Sequence, residues 1–142
     1  MRLTAEIEGH GPLDALPRDG ADLVAFMSFA VARGFGAQHP FIALADRLHD
    51  TFGVKLGPLT TFYEADVEDG EDREKLELAW QEPAPLLRSV ERMIEILESD
   101  QVSQALTRRA GADGLCEQAA ALAAGLAGAE ATQARVRLSY SL

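Results

Sequence analysis

The chain has 142 residues and a formal net charge of −10, with 13 lysines and arginines against 23 aspartates and glutamates. Hydrophobic residues make up 47% of it, which is enough for one core and too much for a disordered or fibrous chain. A single cysteine excludes an internal disulfide. The acidic balance argues against nucleic acid and against membrane surfaces as partners, because both are bound through clustered basic side chains.

No signal peptide is apparent, and no window of about 18 residues is apolar enough to span a membrane. We therefore expect a cytoplasmic protein with a single domain over residues 1–142. Phosphate-binding loops, zincin helices and nucleophile elbows are absent, and Gly9-His10-Gly11 lacks the third glycine of a dinucleotide fingerprint. We accordingly expect no cofactor.

Both ends of the chain alternate apolar and polar residues with the period of two that is typical of a half-buried strand. Residues 2–8 and 134–142 follow this pattern. Their outward-facing charges are opposite in sign: Glu6 and Glu8 against Arg135 and Arg137. Because opposite charges facing each other across a ladder are favourable, we predict that the two ends pair in one small sheet.

Between the ends, apolar residues recur at three- and four-residue steps, which predicts five or six helices. They lie near residues 21–33, 40–52, 72–80, 86–98, 101–109 and 114–127. The first is apolar on nearly every side and should be central. We expect Ser99 or Asp100 to cap the fifth helix and Asp113 to cap the last, which should stop at Gly128.

Residues 54–67 are ambiguous, because a run rich in β-branched and aromatic residues from Leu59 to Val67 fits a third strand, a short helix or an extended loop. The pattern as a whole predicts an α+β fold that is predominantly helical. Five or six helices would pack on a small sheet that pairs the N- and C-terminal strands, since so small a sheet needs a helical cover.

Asp46, His49 and Asp50 stand at i, i+3 and i+4 and would share one face of the second helix. This spacing fits half of a two-metal carboxylate site, but no second pair of this form exists. A solvated polar face explains it as well, so these residues are only weak metal candidates. A polar pocket that combines His39, His49 and Asp46 with Tyr63 or Glu64 remains the basis of an alternative function.

The most distinctive feature is residues 64–82, which we call the acidic segment. It holds nine acids against Arg73 and Lys75 and so carries −7 of the net charge. A calcium loop is excluded because Ala65, Val67 and Leu76 would fall on ligand positions. The segment is either an electronegative patch that steers a basic partner or a solvated connection. Its candidate binding residues are Asp66, Glu68, Asp69, Glu71, Asp72 and Trp80.

Trp80 has two interpretations of its own, as a binding hot spot or as part of the core. Concentrated acid without catalytic motifs favours a non-catalytic protein–protein interaction module of the regulator, adaptor or toxin-neutralising type, which would bind a basic protein surface through the acidic segment. The alternatives are a small enzyme or a ligand- or metal-binding protein with a His/carboxylate pocket, and a structural homodimer or assembly subunit.

Overall fold

The computed structural model describes residues 1–142 and consists of six α-helices and a four-stranded sheet. The strands are β1 (Arg2–Ile7), β2 (Gly11–Pro12), β3 (Phe62–Glu64) and β4 (Val136–Ser141). The helices are α1 (Ala21–Val31), α2 (Pro40–Asp46), α3 (Gly70–Leu78), α4 (Pro83–Ser99), α5 (Gln101–Arg109) and α6 (Leu115–Ala131). The predicted α+β, predominantly helical fold is confirmed.

The sheet has the order β2-β1-β4-β3, with the two terminal strands at its centre. β1 and β4 run antiparallel over their full length, from Arg2 opposite Ser141 to Ile7 opposite Val136. β3 joins the other side of β4 in parallel. A parallel pair needs a long crossover, which helices α3 to α6 supply here. The third strand, left open by the sequence, therefore exists but is only three residues long.

The charges predicted to face each other across the terminal strands do so. Glu6 lies directly opposite Arg137, which donates hydrogen bonds of 3.1 Å to both carboxylate oxygens of Glu6. Arg135 pairs with Glu8 just beyond the ladder. The Arg135 guanidinium lowers the pKa of Glu8, and Glu8 in turn raises the pKa of Arg135.

The core lies between the helices and one face of the sheet. Its largest fully buried side chains include Phe26 of α1, Met93 of α4 and Leu122 of α6. Helix α4 packs along α6, and α1 contacts both α2 and α6. The central place predicted for the first helix is confirmed at five of its eleven residues, which are buried.

The start of one helix and the cap of another differ from the prediction because of hydrogen bonds that the apolar pattern does not show. Helix α3 begins at Gly70 instead of residue 72, since the Asp69 carboxylate accepts the Asp72 N–H at 2.9 Å and makes Asp69 the N-cap. Helix α3 also ends at Leu78, which leaves Trp80 outside it.

Helix α6 is not capped by Asp113, contrary to the prediction. The Asp113 carboxylate binds Arg18 at 3.1 Å, and Gly114 occupies the N-cap position. Asp22 of α1 accepts the Gly114 N–H at 2.9 Å instead, which ties the two helix starts together. The helix also continues past Gly128 to Ala131.

Helix α2 begins as predicted, with Pro40 at its first position and the His39 ring as its N-cap, where Nδ1 accepts the Phe41 N–H at 3.0 Å. It then widens into a π-helical turn over Arg47–Thr51. The fifth helix is capped by Asp100, one of its two predicted caps, whose carboxylate accepts the Ser103 N–H.

Candidate functional site

Both ends of the acidic segment are attached to strand β4. At its start, the Ala65 N–H donates to the Tyr140 carbonyl at 2.8 Å. At its end, Gln81 and Val136 exchange two backbone hydrogen bonds of 2.8 Å. The residues between these points leave the sheet at its β3 edge and return to it. They form one continuous segment on the protein surface.

Helix α3 lies at the centre of this surface segment, and none of its residues is buried. The Leu78 side chain is 75% exposed, and Val67, which precedes the helix, is 40% exposed. A nine-residue helix is too short to be stable in water by itself. It is held by its first turn and by the fully buried Ala79 that follows it, not by an apolar face packed on the core.

Two of the predicted binding residues secure the start of this helix. Besides the Asp69 cap, the Asp72 carboxylate accepts the Glu68 N–H at 3.2 Å. The side chains of Asp66, Glu68 and Glu71 form no hydrogen bond or ion pair within the chain, so their charges face solvent.

Trp80 lies near the end of the acidic segment, just before the chain returns to the sheet, and is half-buried. The Arg137 guanidinium sits over its ring, 4.3 Å from the centroid. The same guanidinium donates to the Leu76 carbonyl at 3.3 Å and pairs with Glu6. Arg137 thus connects the tryptophan, the end of α3 and strand β1.

Asp46, His49 and Asp50 do come together, but around a cation. Arg33 binds the Asp46 carboxylate at 2.8 Å and the Asp50 carboxylate at 3.4 Å. His49 Nδ1 lies 2.7 Å from Asp50, and its hydrogen bond lowers the pKa of Asp50, with a smaller effect from Arg33. No group of three or more His, Cys, Asp and Glu side chains is arranged to hold a metal ion. The geometry is that of an ion-pair cluster.

The residues of the alternative pocket do not converge. His39 and Asp46 line one groove of about 410 Å³, and His49 lines another of about 560 Å³. Tyr63 and Glu64 line a third, of about 200 Å³. The His39 ring also has a structural role, because it stacks on the Phe29 ring with 3.8 Å between the two centroids.

Sequence reasoning missed a second charged region, a groove beside α4 lined by Lys55, Arg88 and Arg92. Its signal in the sequence is weak. Arg88 and Arg92 stand four apart, opposite the apolar stripe of α4, but Lys55 is more than thirty residues away in a loop. Only the folded chain brings the three together.

Comparison with protein-family models, with curated proteins and with solved structures finds no match for this chain. None of its helices has the length and apolar character needed to cross a membrane.

Proposed function

We propose that this chain is a non-catalytic protein-binding module that uses its acidic segment to bind a basic surface of another protein in the cytoplasm. The observation that carries the proposal is the exposure of helix α3, which buries no residue and projects its carboxylates into solvent. A regulator, an adaptor or a toxin-neutralising protein would each use the segment in this way.

Exposed apolar residues among the acids support a binding surface over a solvated connection. A connection needs only polar residues, yet Leu78 is 75% exposed and Val67 is 40% exposed among the acids. Burying a side chain of this kind contributes about 1.5–3 kcal/mol. The carboxylates would steer the partner and set its orientation, while the apolar residues would supply affinity. Trp80 is placed at the edge of this surface.

No single observation favours the alternative of an enzyme or a ligand- or metal-binding protein with a His/carboxylate pocket. Its proposed residues line three separate grooves. The Asp46 and Asp50 carboxylates are already engaged by Arg33.

The test compares two variants that change the net charge equally. The first reverses three free acids of the segment and spares the capping residues: Asp66→Lys, Glu68→Lys and Glu71→Lys. The control reverses three exposed acids elsewhere that form no ion pair: Asp14→Lys, Glu98→Lys and Glu130→Lys. Each variant and the parent protein is immobilised to capture partners from an extract of the source cells, and the affinity of the captured protein is measured at several salt concentrations.

We expect the acidic-segment variant to bind the captured partner at least about tenfold more weakly, with less dependence on salt, because steering by exposed charges is screened within roughly 10 Å at 0.1 M salt. The control should bind within about twofold of the parent. Equal affinity for the two variants would contradict the proposal. Light scattering of the parent protein separates a partner of different sequence from self-association.

A further inference from the structure

A basic groove of about 490 Å³ lies between helix α4 and the loop of residues 52–58. We define it by its three cations, Lys55, Arg88 and Arg92. Its apolar lining includes Phe52, Val54, Pro58 and Pro85.

Local structure explains why the cations meet there. On α4, residues 85, 88, 89 and 92 follow the i, i+3, i+4, i+7 spacing of one helix face. In the loop, Val54 and Leu56 are buried on either side of the exposed Lys55, which directs the lysine away from the core. The buried Ser89 hydroxyl donates to the Lys55 carbonyl at 2.6 Å and fastens the loop to the helix.

The positive charge of the groove is not balanced by acidic residues in its lining. No aspartate or glutamate lines it. Lys55 and Arg88 form no ion pair, although acids outnumber bases by 23 to 13 in the chain. Arg92 is the exception, since its guanidinium binds Glu95 at 3.0 Å. An acidic protein thus keeps two unpaired cations and a third, half-neutralised one around a single depression.

The apolar side of the groove is held in place. The Phe52 ring lies near two guanidinium groups, with Arg47 at 5.4 Å and Arg92 at 5.8 Å from its centroid. Arg47 is itself fixed by two hydrogen bonds to Asp100, of 2.7 and 3.0 Å. The ring therefore offers a positioned apolar surface beside the cations.

We propose that the basic groove binds a small organic phosphate. Lys55, Arg88 and Arg92 would hold the phosphate group, because guanidinium forks match phosphate geometry and an ammonium group adds a point charge. The apolar body of the ligand would lie against Phe52 and the two prolines. The groove is of the size that small-molecule sites have, which is about 300–1,000 Å³. This proposal is independent of the acidic segment.

The test follows backbone amide resonances of the full chain during titration with phenyl phosphate, inorganic phosphate and phenol. A double variant, Lys55→Gln with Arg88→Gln, removes the two unpaired cations. Its matched control is Arg108→Gln with Arg109→Gln, which removes two unpaired arginines from the end of α5.

We expect saturable shifts at Gly53, Lys55 and Ser89 with phenyl phosphate, and weaker binding of inorganic phosphate and of phenol. The double variant should bind phenyl phosphate at least about tenfold more weakly, because it loses two charged contacts, while the control should match the parent. The proposal is overturned if phenyl phosphate gives no saturable shift up to about 10 mM or if the two variants bind it equally. Equal binding of inorganic phosphate and phenyl phosphate would overturn the organic part of the assignment. Binding of phenol at the same residues as tightly as phenyl phosphate would overturn the phosphate part.

Discussion

Asp100 joins two distant parts of the chain through one carboxylate. It caps α5 by accepting the Ser103 N–H at 3.0 Å and the Ser103 hydroxyl at 2.6 Å, and it pairs with Arg47 at 2.7 Å. The Arg47 guanidinium and, after it, the Ser103 hydroxyl hold the pKa of Asp100 well below its ordinary value. The sequence predicts the cap, because capping is local, but it does not predict a partner 53 residues away.

The lowered pKa of Asp100 makes its contribution to stability depend on pH. The contribution is complete above the unfolded-state pKa of about 3.9 and is lost as the pH falls through the lower folded-state value. Asp100→Asn keeps a capping side chain but removes the ion pair, so its free energy of unfolding should be below that of the parent at pH 7. This difference in the free energy of unfolding between the parent and Asp100→Asn should narrow below about pH 4. Asp100→Ala should lower the free energy of unfolding further than Asp100→Asn at pH 7, because it also removes the cap.

Urea unfolding of the parent and both variants at pH 7 and in acid measures these differences. A gap between the parent and Asp100→Asn that stays constant with pH would show that the ion pair does not stabilise the fold.

At the scale of elements, helix α6 shows how an alanine-rich surface serves close packing. A Cβ added at Gly125 would overlap the Leu13 side chain, which reaches the helix from the loop after β2. A Cβ at Gly128, one turn further along, would meet nothing within 4 Å. The two glycines therefore differ in the space available for a side chain, although both stand in the same alanine-rich stretch of the sequence. Only the position of Leu13, set by its backbone bond to Ala5, separates them.

This difference predicts unequal effects for the same substitution. Gly128→Ala should raise the free energy of unfolding by about 0.5–1 kcal/mol, because alanine is the better helix former. Gly125→Ala has the same gain in helix propensity but must displace the Leu13 methyl group, so it should stabilise the fold less than Gly128→Ala. Denaturant unfolding of the two variants side by side measures both. Equal stabilisation by the two would mean that Leu13 does not pack against α6.

Across the whole molecule, charge is concentrated in two regions of opposite sign and is not spread evenly. The acidic segment carries −7 of the net −10, and the basic groove places three cations around one depression. Most cations elsewhere are used internally: Arg137, for example, lies over Trp80 and pairs with Glu6. In both proposed binding sites, most of the charge is not paired within the chain.

Features that depend on local sequence can be predicted from it, whereas features that depend on contacts between distant residues cannot. Alternation and opposite charges in the terminal strands predict the central pair of the sheet, because a strand's pattern and its cross-strand partners are nearly sufficient to specify it. The acidic segment is visible because its residues are contiguous. The Arg137 contact with Trp80 and the meeting of Lys55 with Arg88 depend on tertiary packing. So does the separation of His39 from His49.

Amide hydrogen exchange of the protein, free and bound to the partner captured through the acidic segment, tests whether that segment is the binding surface. The amides of α3, which lie on an exposed and weakly packed helix, should exchange at least about tenfold more slowly in the complex, while the exchange rates of the α5 amides should not change. Exchange in α3 at the same rate in both states, with slowing elsewhere, would contradict the assignment of the acidic segment as the binding surface.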